Sequence, residues 1–245
     1  KVSNLKKSYG SNLVIKGIDL EIFSGEVFAL LGVNGAGKTT TLECIEGLRK
    51  YDSGSISVNG KLGIQLQSSS LPSHIKTMEA IKLFSKWNKT KIDSSLLEAL
   101  NIKDIEKKQY NQMSVGQKRR LHLALALISN PDIIFLDEPT AGLDVEGRFA
   151  LHQEIRKLKK QGKTIVLASH DMAEVESLCD RIAILNEGKI AFCGTATELS
   201  EKIGKKYFIQ IKTIQGVQTI ETDNIETSLI QILHPKTKFL GPPSS

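Results

Sequence analysis

The first residues of this chain with the types and spacing to do chemistry form Gly32-Val-Asn34-Gly35-Ala36-Gly37-Lys38-Thr39, which fits G-x-x-x-x-G-K-[ST] in full. Each part answers a need of a bound polyphosphate. The glycines let backbone N–H groups turn inward and approach phosphate oxygens, which a Cβ would obstruct. A helix that follows points its partially positive N-terminus at the same anions. Lys38 brings a mobile point charge to the β- and γ-phosphates, and the Thr39 hydroxyl is placed to ligate Mg²⁺. Asn34, Ala36 and Thr40 belong to the same expected phosphate-binding set.

Ninety-nine residues after Lys38, the apolar run Ile133-Ile-Phe-Leu136 ends in Asp137-Glu138-Pro139. In a sheet that carries the glycine loop, Asp137 is the carboxylate expected to hold Mg²⁺ through water. Glu138, one residue on, is expected to orient and deprotonate a water attacking the γ-phosphate. An apolar strand ending in Asp-Glu is often structural when it stands alone. Following the glycine loop in the same α/β pattern, it points to hydrolysis of a nucleoside triphosphate.

These groups need rigid elements to bring them together, and the patterning supplies them. Val27 to Leu31 reads as a buried strand, and Thr39 to Arg49 as a helix with Leu42, Ile45 and Leu48 at helical spacing. Ile18, Leu20 and Ile22 alternate as in a half-buried strand. Between about residues 68 and 130 the strand signals give way to helical segments, Met78 to Trp87, Ser94 to Leu100 and Leu121 to Ile128, punctuated by Pro131. The alternation then returns: strands Ile133 to Leu136 and Thr164 to Ala168, with helices Asp144 to Gln161 and Asp171 to Cys179. Phe149, Leu151, Ile155 and Leu158 form the apolar side of the first of these helices, and Gly162 is its stop. Asn186-Glu187-Gly188 reads as a hairpin turn between Arg181–Leu185 and Lys189–Phe192. Beyond Lys205, Tyr207, Ile209 and Ile211 alternate, which suggests a small β-rich appendage.

Bulk composition narrows the class further. The 245 residues are 40% hydrophobic and 24% charged, with a formal net charge of +6, as in an ordinary globular protein with a solvated Lys/Arg surface. No basic segment is interleaved with aromatics that would stack on bases, so no nucleic-acid partner is expected. No run approaches the ~18 apolar residues of a membrane-spanning helix. The polar stretch after Lys1 reads as lacking a signal peptide, and the closing Gly241-Pro-Pro-Ser-Ser245 as a cloning scar or disordered tail. The three cysteines, Cys44, Cys179 and Cys193, lack metal-ligand spacing and read as small buried hydrophobes in a reducing cytosol.

The remaining polar motifs supply a family resemblance. Met113-Ser114-Val115-Gly116-Gln117 resembles the L-S-G-G-Q signature of the ATP-binding cassette (ABC) family, and it opens the helix containing Leu121 to Ile128. After Glu138 come Ala141-Gly-Leu-Asp144, similar to the ABC D-loop, and Ser169-His170-Asp171, similar to its switch histidine. Gln67 resembles the Q-loop glutamine, and Tyr9, in Lys7-Ser8-Tyr9-Gly10, stands where the family places its adenine-stacking aromatic, with Phe23 as the rival. The resemblance covers about Lys1 to Thr195. It implies an α/β P-loop NTPase core with a largely parallel sheet, an N-terminal antiparallel β subdomain, a helical insertion and the small C-terminal appendage. The domains expected are residues 1–204 as the ATPase and 205–245 as the appendage or tail.

The resemblance also implies roles. Ser114, Gly116 and Gln117 would close on the γ-phosphate held by another subunit's loop, making ATP the glue of a dimer. His170 would contact that phosphate, Asp144 would communicate across the interface, and Gln67 would sense nucleotide and contribute to the Mg²⁺ site. The expected partners are a second cassette, as a homodimer, and a separate transmembrane permease that holds the protein on the cytoplasmic face of the membrane. The segment from Ser69 to Ala80 is where a coupling helix of that permease would dock. The resemblance is strongest to bacterial ABC-2-type exporters, including drug-resistance systems; the alternative is a non-transport ABC ATPase acting on ribosomes or DNA. His74, His122, His152 and His234 are assigned no role, and Lys118-Arg119-Arg120 reads as a solvated helical turn. Two departures stand out. Val115 and Met113 replace a glycine and a leucine of the signature. Asn59-Gly-Lys-Leu62 runs almost directly toward Gln67, which reads as a segment missing there in preference to a short hairpin.

Overall fold

The structure, a computed structural model, describes residues 1–65, 71–203, 207–213 and 216–222. It divides into a unit spanning Lys1–Thr195 and a second that begins at Ala196.

The first unit opens with strands β1 (Val2–Tyr9) and β2 (Asn12–Leu20), paired antiparallel, with β4 (Ser53–Ile56) on the other edge of β1. β2 ends at Leu20, so Ile22 falls outside it, although its side chain still packs on the core. Strand β3 (Val27–Leu31) is buried at all five positions. The reason is that both its faces are covered. Phe28 and Leu30 pack with Leu5, Ile15 and Ile18 of the antiparallel sheet and with Leu42 and Ile45 of helix α1 (Lys38–Ile45), while a second helical layer lies on the other side. A strand covered on both faces shows a continuous apolar run in place of alternation. Each such large side chain contributes roughly 1.5–3 kcal/mol.

The main sheet has six strands in the order β5 (Leu62–Gln65), β6 (Ile133–Asp137), β7 (Thr164–Ser169), β3, β8 (Arg181–Asn186), β9 (Lys189–Gly194). All neighbours run parallel except β8 and β9, a hairpin turned at Glu187 and Gly188, both with positive φ. Because β6, β7 and β3 are adjacent and parallel, their C-terminal ends lie side by side. Those ends carry Asp137-Glu138, His170 and the glycine loop. Ligands of open α/β sheets bind at such an edge.

Helices α5 (Val145–Lys160) and α6 (Met172–Leu178) pack on the face of the sheet near β7 and β3. α5 starts where Asp144 accepts a hydrogen bond from the Gly147 N–H at 2.8 Å and stops at Gly162, φ +80°. Its buried stripe is Glu154, Ile155 and Leu158; Phe149, expected on that side, is 62% exposed. The helical insertion comprises α2 (Thr77–Trp87), α3 (Ser94–Ala99), two 3-10 turns and α4 (Val115–Leu127). Thr77 anchors it by donating from Oγ1 to the Ile105 carbonyl at 2.6 Å. The connection from β4 to β5 is short: the Lys61 N–H donates to Asp132 Oδ2 at 2.8 Å, and its ammonium to the Ser129 carbonyl at 2.9 Å. Among the described residues no helix is long and apolar enough to cross a membrane.

The second unit contains α7 (Ala196–Ile203) and the antiparallel pair β10 (Tyr207–Thr213) and β11 (Gly216–Thr222). β10 and β11 fall in the segment expected to be β-rich, and the second unit begins ahead of α7.

Candidate active site

The glycine loop leaves the C-terminal end of β3 and enters α1. Gly35 (φ +83°) and Gly37 (φ +106°) hold left-handed conformations, and a Cβ on Gly37 would meet Ile15 Cδ1 at 2.7 Å. Only glycine permits the backbone to turn this tightly against the core. Lys38 is folded back into the loop, its ammonium donating to the Gly32 carbonyl at 2.7 Å and lying 3.6 Å from Glu138 Oε1. Tyr9, Asn34, Gly35, Gly37, Lys38, Thr39, Thr40 and Glu138 all line one cleft of about 460 Å³. Ala36, which closes the loop from behind, is buried.

The two carboxylates differ in surroundings although they are sequence neighbours. Asp137 Oδ2 accepts from Thr39 Oγ1 at 2.9 Å, while its buried Oδ1 has no hydrogen-bond partner among the described residues. Burial pushes the Asp137 carboxyl above its usual range; the Thr39 bond counters this in part. An orphaned carboxylate oxygen beside a hydroxyl is a donor set that fits Mg²⁺, a hard cation that takes one or two carboxylates and completes its shell with water and phosphate. Glu138 sits at φ 47°, a left-handed conformation uncommon outside glycine, and this aims its carboxylate between Lys38 and His170. His170 Nδ1 lies 2.9 and 3.0 Å from the two Glu138 oxygens, and the histidine side chain is 60% exposed.

Tyr9 is partly exposed, with the Lys7 ammonium 5.5 Å and the Arg49 guanidinium 5.3 Å from its ring centroid. Phe23, its rival, lines a different cleft together with Lys1 and Asp132. Gln67 lies outside the described residues, as do Ser69 and His234.

The signature segment is elsewhere. Ser114 caps α4, its hydroxyl accepting from the Gln117 N–H at 3.3 Å while Gln117 Oε1 accepts from the Ser114 N–H at 3.2 Å. Ser114, Gly116, Gln117 and Asp144 line a second cleft of about 340 Å³, which shares no lining residue with the glycine-loop cleft. Val115 projects at the first helical position, 54% exposed, with its Cγ1 3.2 Å from where a Gly142 Cβ would be. The bulk that departs from the signature thus packs on the loop leading to Asp144.

Several features were not legible in the linear pattern. Lys118-Arg119-Arg120 is half-buried, not a solvated turn: Lys118 lies 4.9 Å from the Tyr110 ring centroid, and Arg119, held below its usual range by burial, feels the charges of Asp137 and Glu138. Glu46, at the end of α1, is pushed up to about 7 by burial and by the neighbouring charges of Asp137 and Glu43. Its apolar-flanked position after Ile45 was the available signal. His122 is half-buried, 2.9 Å from the Tyr110 hydroxyl, and its desolvation depresses it to about 4. Of the cysteines, Cys44 is buried but Cys193 is exposed.

The fold and this site define a P-loop ATPase with a helical insertion. The ABC transporter family profile matches residues 15–141, and the chain belongs to that family. It is 34% identical over 235 residues to the linearmycin resistance ATP-binding protein LnrL of Bacillus subtilis, covering 89% of this chain and 75% of that protein. It is 36% identical over 204 residues to the Nod factor export ATP-binding protein I of Burkholderia orbicola, covering 76% and 67%. Among solved structures, the dimeric structure of MJ0796, a bacterial ABC transporter cassette, superposes with a TM-score of 0.72 at 26% identity, covering 80% of this chain and 97% of that one. The protein is an ATP-hydrolysing subunit of the transporter kind.

Proposed function

We propose that this cassette powers export through a separate membrane permease, by closing as a pair on two ATP molecules. The observation that carries the reading is that Glu138 contacts both Lys38, at 3.6 Å, and His170, at 2.9 Å, at adjacent strand ends, while the cleft lined by Lys38 and Glu138 contains no signature residue. The hydrolytic half of the site and the signature half lie on different clefts of one chain, so a second copy supplies Ser114, Gly116 and Gln117 to the first copy's nucleotide. Asp144, capping α5 on the signature cleft, then faces the partner.

Within one half-site, Tyr9 stacks the adenine, and the loop N–H groups with Lys38 take the β- and γ-phosphates. Thr39 and Asp137 would hold Mg²⁺, with Gln67 added on motif order alone; the ion supplies charge neutralisation at the phosphates. Glu138 accepts a proton from water as its oxygen bonds to the γ-phosphorus and ADP departs. His170 holds Glu138 in line and meets the γ-phosphate from the β7 side. Lys38, 3.6 Å from Glu138, brings its positive charge beside both the base and the phosphates.

Export is favoured by the likeness to the linearmycin resistance and Nod factor export proteins. The permease would hold the cassette at the inner face of the membrane, its coupling helix meeting the segment from Ser69 to Ala80. Light scattering of Glu138→Gln with and without ATP-Mg²⁺ tests the pairing. Turnover is expected to fall ~10²–10⁴-fold with ATP binding retained, and the mass to double only with ATP. A monomer at saturating ATP would reject pairing by this chain alone.

A further inference from the structure

Behind the segments that carry Glu138 and His170 lies a buried carboxyl that the reaction scheme does not use. Glu174, in the first turn of α6, is 6% exposed. Its Oε2 accepts two hydroxyl hydrogen bonds, from Thr140 Oγ1 at 2.9 Å and from Ser169 Oγ at 3.0 Å. Thr140 lies two residues beyond Glu138, and Ser169 immediately precedes His170. The other oxygen, Oε1, is 3.4 Å from His152 Nε2 on α5, the helix that Asp144 caps. Ser169 Oγ also accepts from the Asp171 N–H at 3.1 Å, fixing the start of α6.

A polar side chain is buried this deeply where its partners require it. The requirement here is visible in Glu138. Its φ of 47° is held only if the surroundings over-determine it. The adjoining backbone contributes the Glu138 N–H to the Ala168 carbonyl at 3.0 Å and the Ala141 N–H to the Glu138 carbonyl at 3.2 Å. The Thr140 bond to Glu174 locks the residues that follow.

We propose that Glu174 is a positioning residue for hydrolysis: one carboxyl oxygen ties Thr140 to Ser169 and so sets Glu138 and His170 at their 2.9 Å separation. The inference rests on Glu138 being the base. Because both hydroxyls donate to the same oxygen, an amide oxygen can replace it, whereas a leucine of similar size cannot.

Steady-state ATP hydrolysis by the full chain, with ATP affinity measured separately, provides the test. Glu174→Leu is expected to lower kcat ~10–100-fold while ATP affinity changes less than about threefold, since the glycine loop is untouched. Glu174→Gln is expected to stay within about threefold of the parent in kcat, its amide oxygen serving both hydroxyls. Should Glu174→Leu fail to fold, Thr140→Val and Ser169→Ala each remove one donor. Each is expected to lower kcat ~3–10-fold, and the double variant to fall little further, because both act through one group. Unchanged kcat in Glu174→Leu, or in both hydroxyl variants, overturns the proposal. So does equal loss in the Gln and Leu variants, or a loss of ATP affinity in parallel with kcat. Glu138→Gln is assayed alongside: near-normal turnover there removes the base reading itself, whereas a slow Glu138→Gln with a normal Glu174→Leu removes only the role of Glu174.

Discussion

The two helix N-termini suited to phosphate, α1 behind Lys38 and α4 behind Ser114, are built on opposite plans. α1 begins at Gly37, which has no side chain to cap it, and its surroundings are crowded with charge: Lys38, Asp137 and Glu138 are all buried. α4 caps itself through Ser114 and Gln117, and no acidic residue stands in its first turn. The first arrangement leaves backbone donors and mismatched charges for a highly charged ligand to reconcile. The second is stable alone and presents a hydroxyl and a helix dipole at an exposed surface, as suits a lid supplied by another molecule. Under the proposed pairing, the first would bind nucleotide and the second would close on it.

That contrast can be broken at either end. Lys38→Ala is expected to weaken ATP binding ~10–100-fold, the worth of a charge-assisted phosphate contact; unchanged affinity by calorimetry would mean that the glycine loop does not hold the nucleotide. Ser114→Arg is expected to abolish the ATP-dependent dimer and lower turnover ~10-fold or more, because a bulky side chain must be buried in the closed interface. ATP affinity of the monomer should stay within about twofold. A fully active variant would remove the signature from the mechanism.

The smallest effect sharpens the charge argument. Glu46 is pushed up to about 7 from 4.5, so between those values the folded state retains a proton that the unfolded chain has released. Its contribution to stability therefore falls as pH rises through that window and is fully lost above about 7. Glu46→Gln is expected to be more stable than the parent by ~1–2 kcal/mol at pH 8, after allowance for partial exposure, and equal to it near pH 4. Thermal melts of the nucleotide-free protein across that range would show the gap. A pH-independent difference would mean that burial and the neighbouring carboxylates do not raise Glu46.

Much of this architecture could be read along the chain, since its signals are local. The glycine loop, Asp137-Glu138 and the capped start of α4 at Ser114 depend on neighbours within a few residues, and the buried strands β3, β6 and β7 declare themselves as continuous apolar runs. Other elements misled for equally physical reasons. Phe149 fits the apolar period of α5 yet faces solvent, because a helix in contact with the sheet buries only a stripe about Ile155 and Leu158. Lys118-Arg119-Arg120 resembles a solvated turn because charge runs usually are, but the insertion folds over it.

The residue types and their order along the chain set the chemistry available: a phosphate loop, a metal-suited carboxylate, a base and a serine at a helix start. Strand order could not be deduced from them, and it is strand order that puts Glu138 and His170 2.9 Å apart although 32 positions separate them. The same is true of Glu174, whose place in the run from Asp171 to Glu176 marks it as one surface acid among several. Only packing α6 against the ends of β6 and β7 buries its carboxyl between two hydroxyls, because burial and partnership are properties of what the chain is folded against.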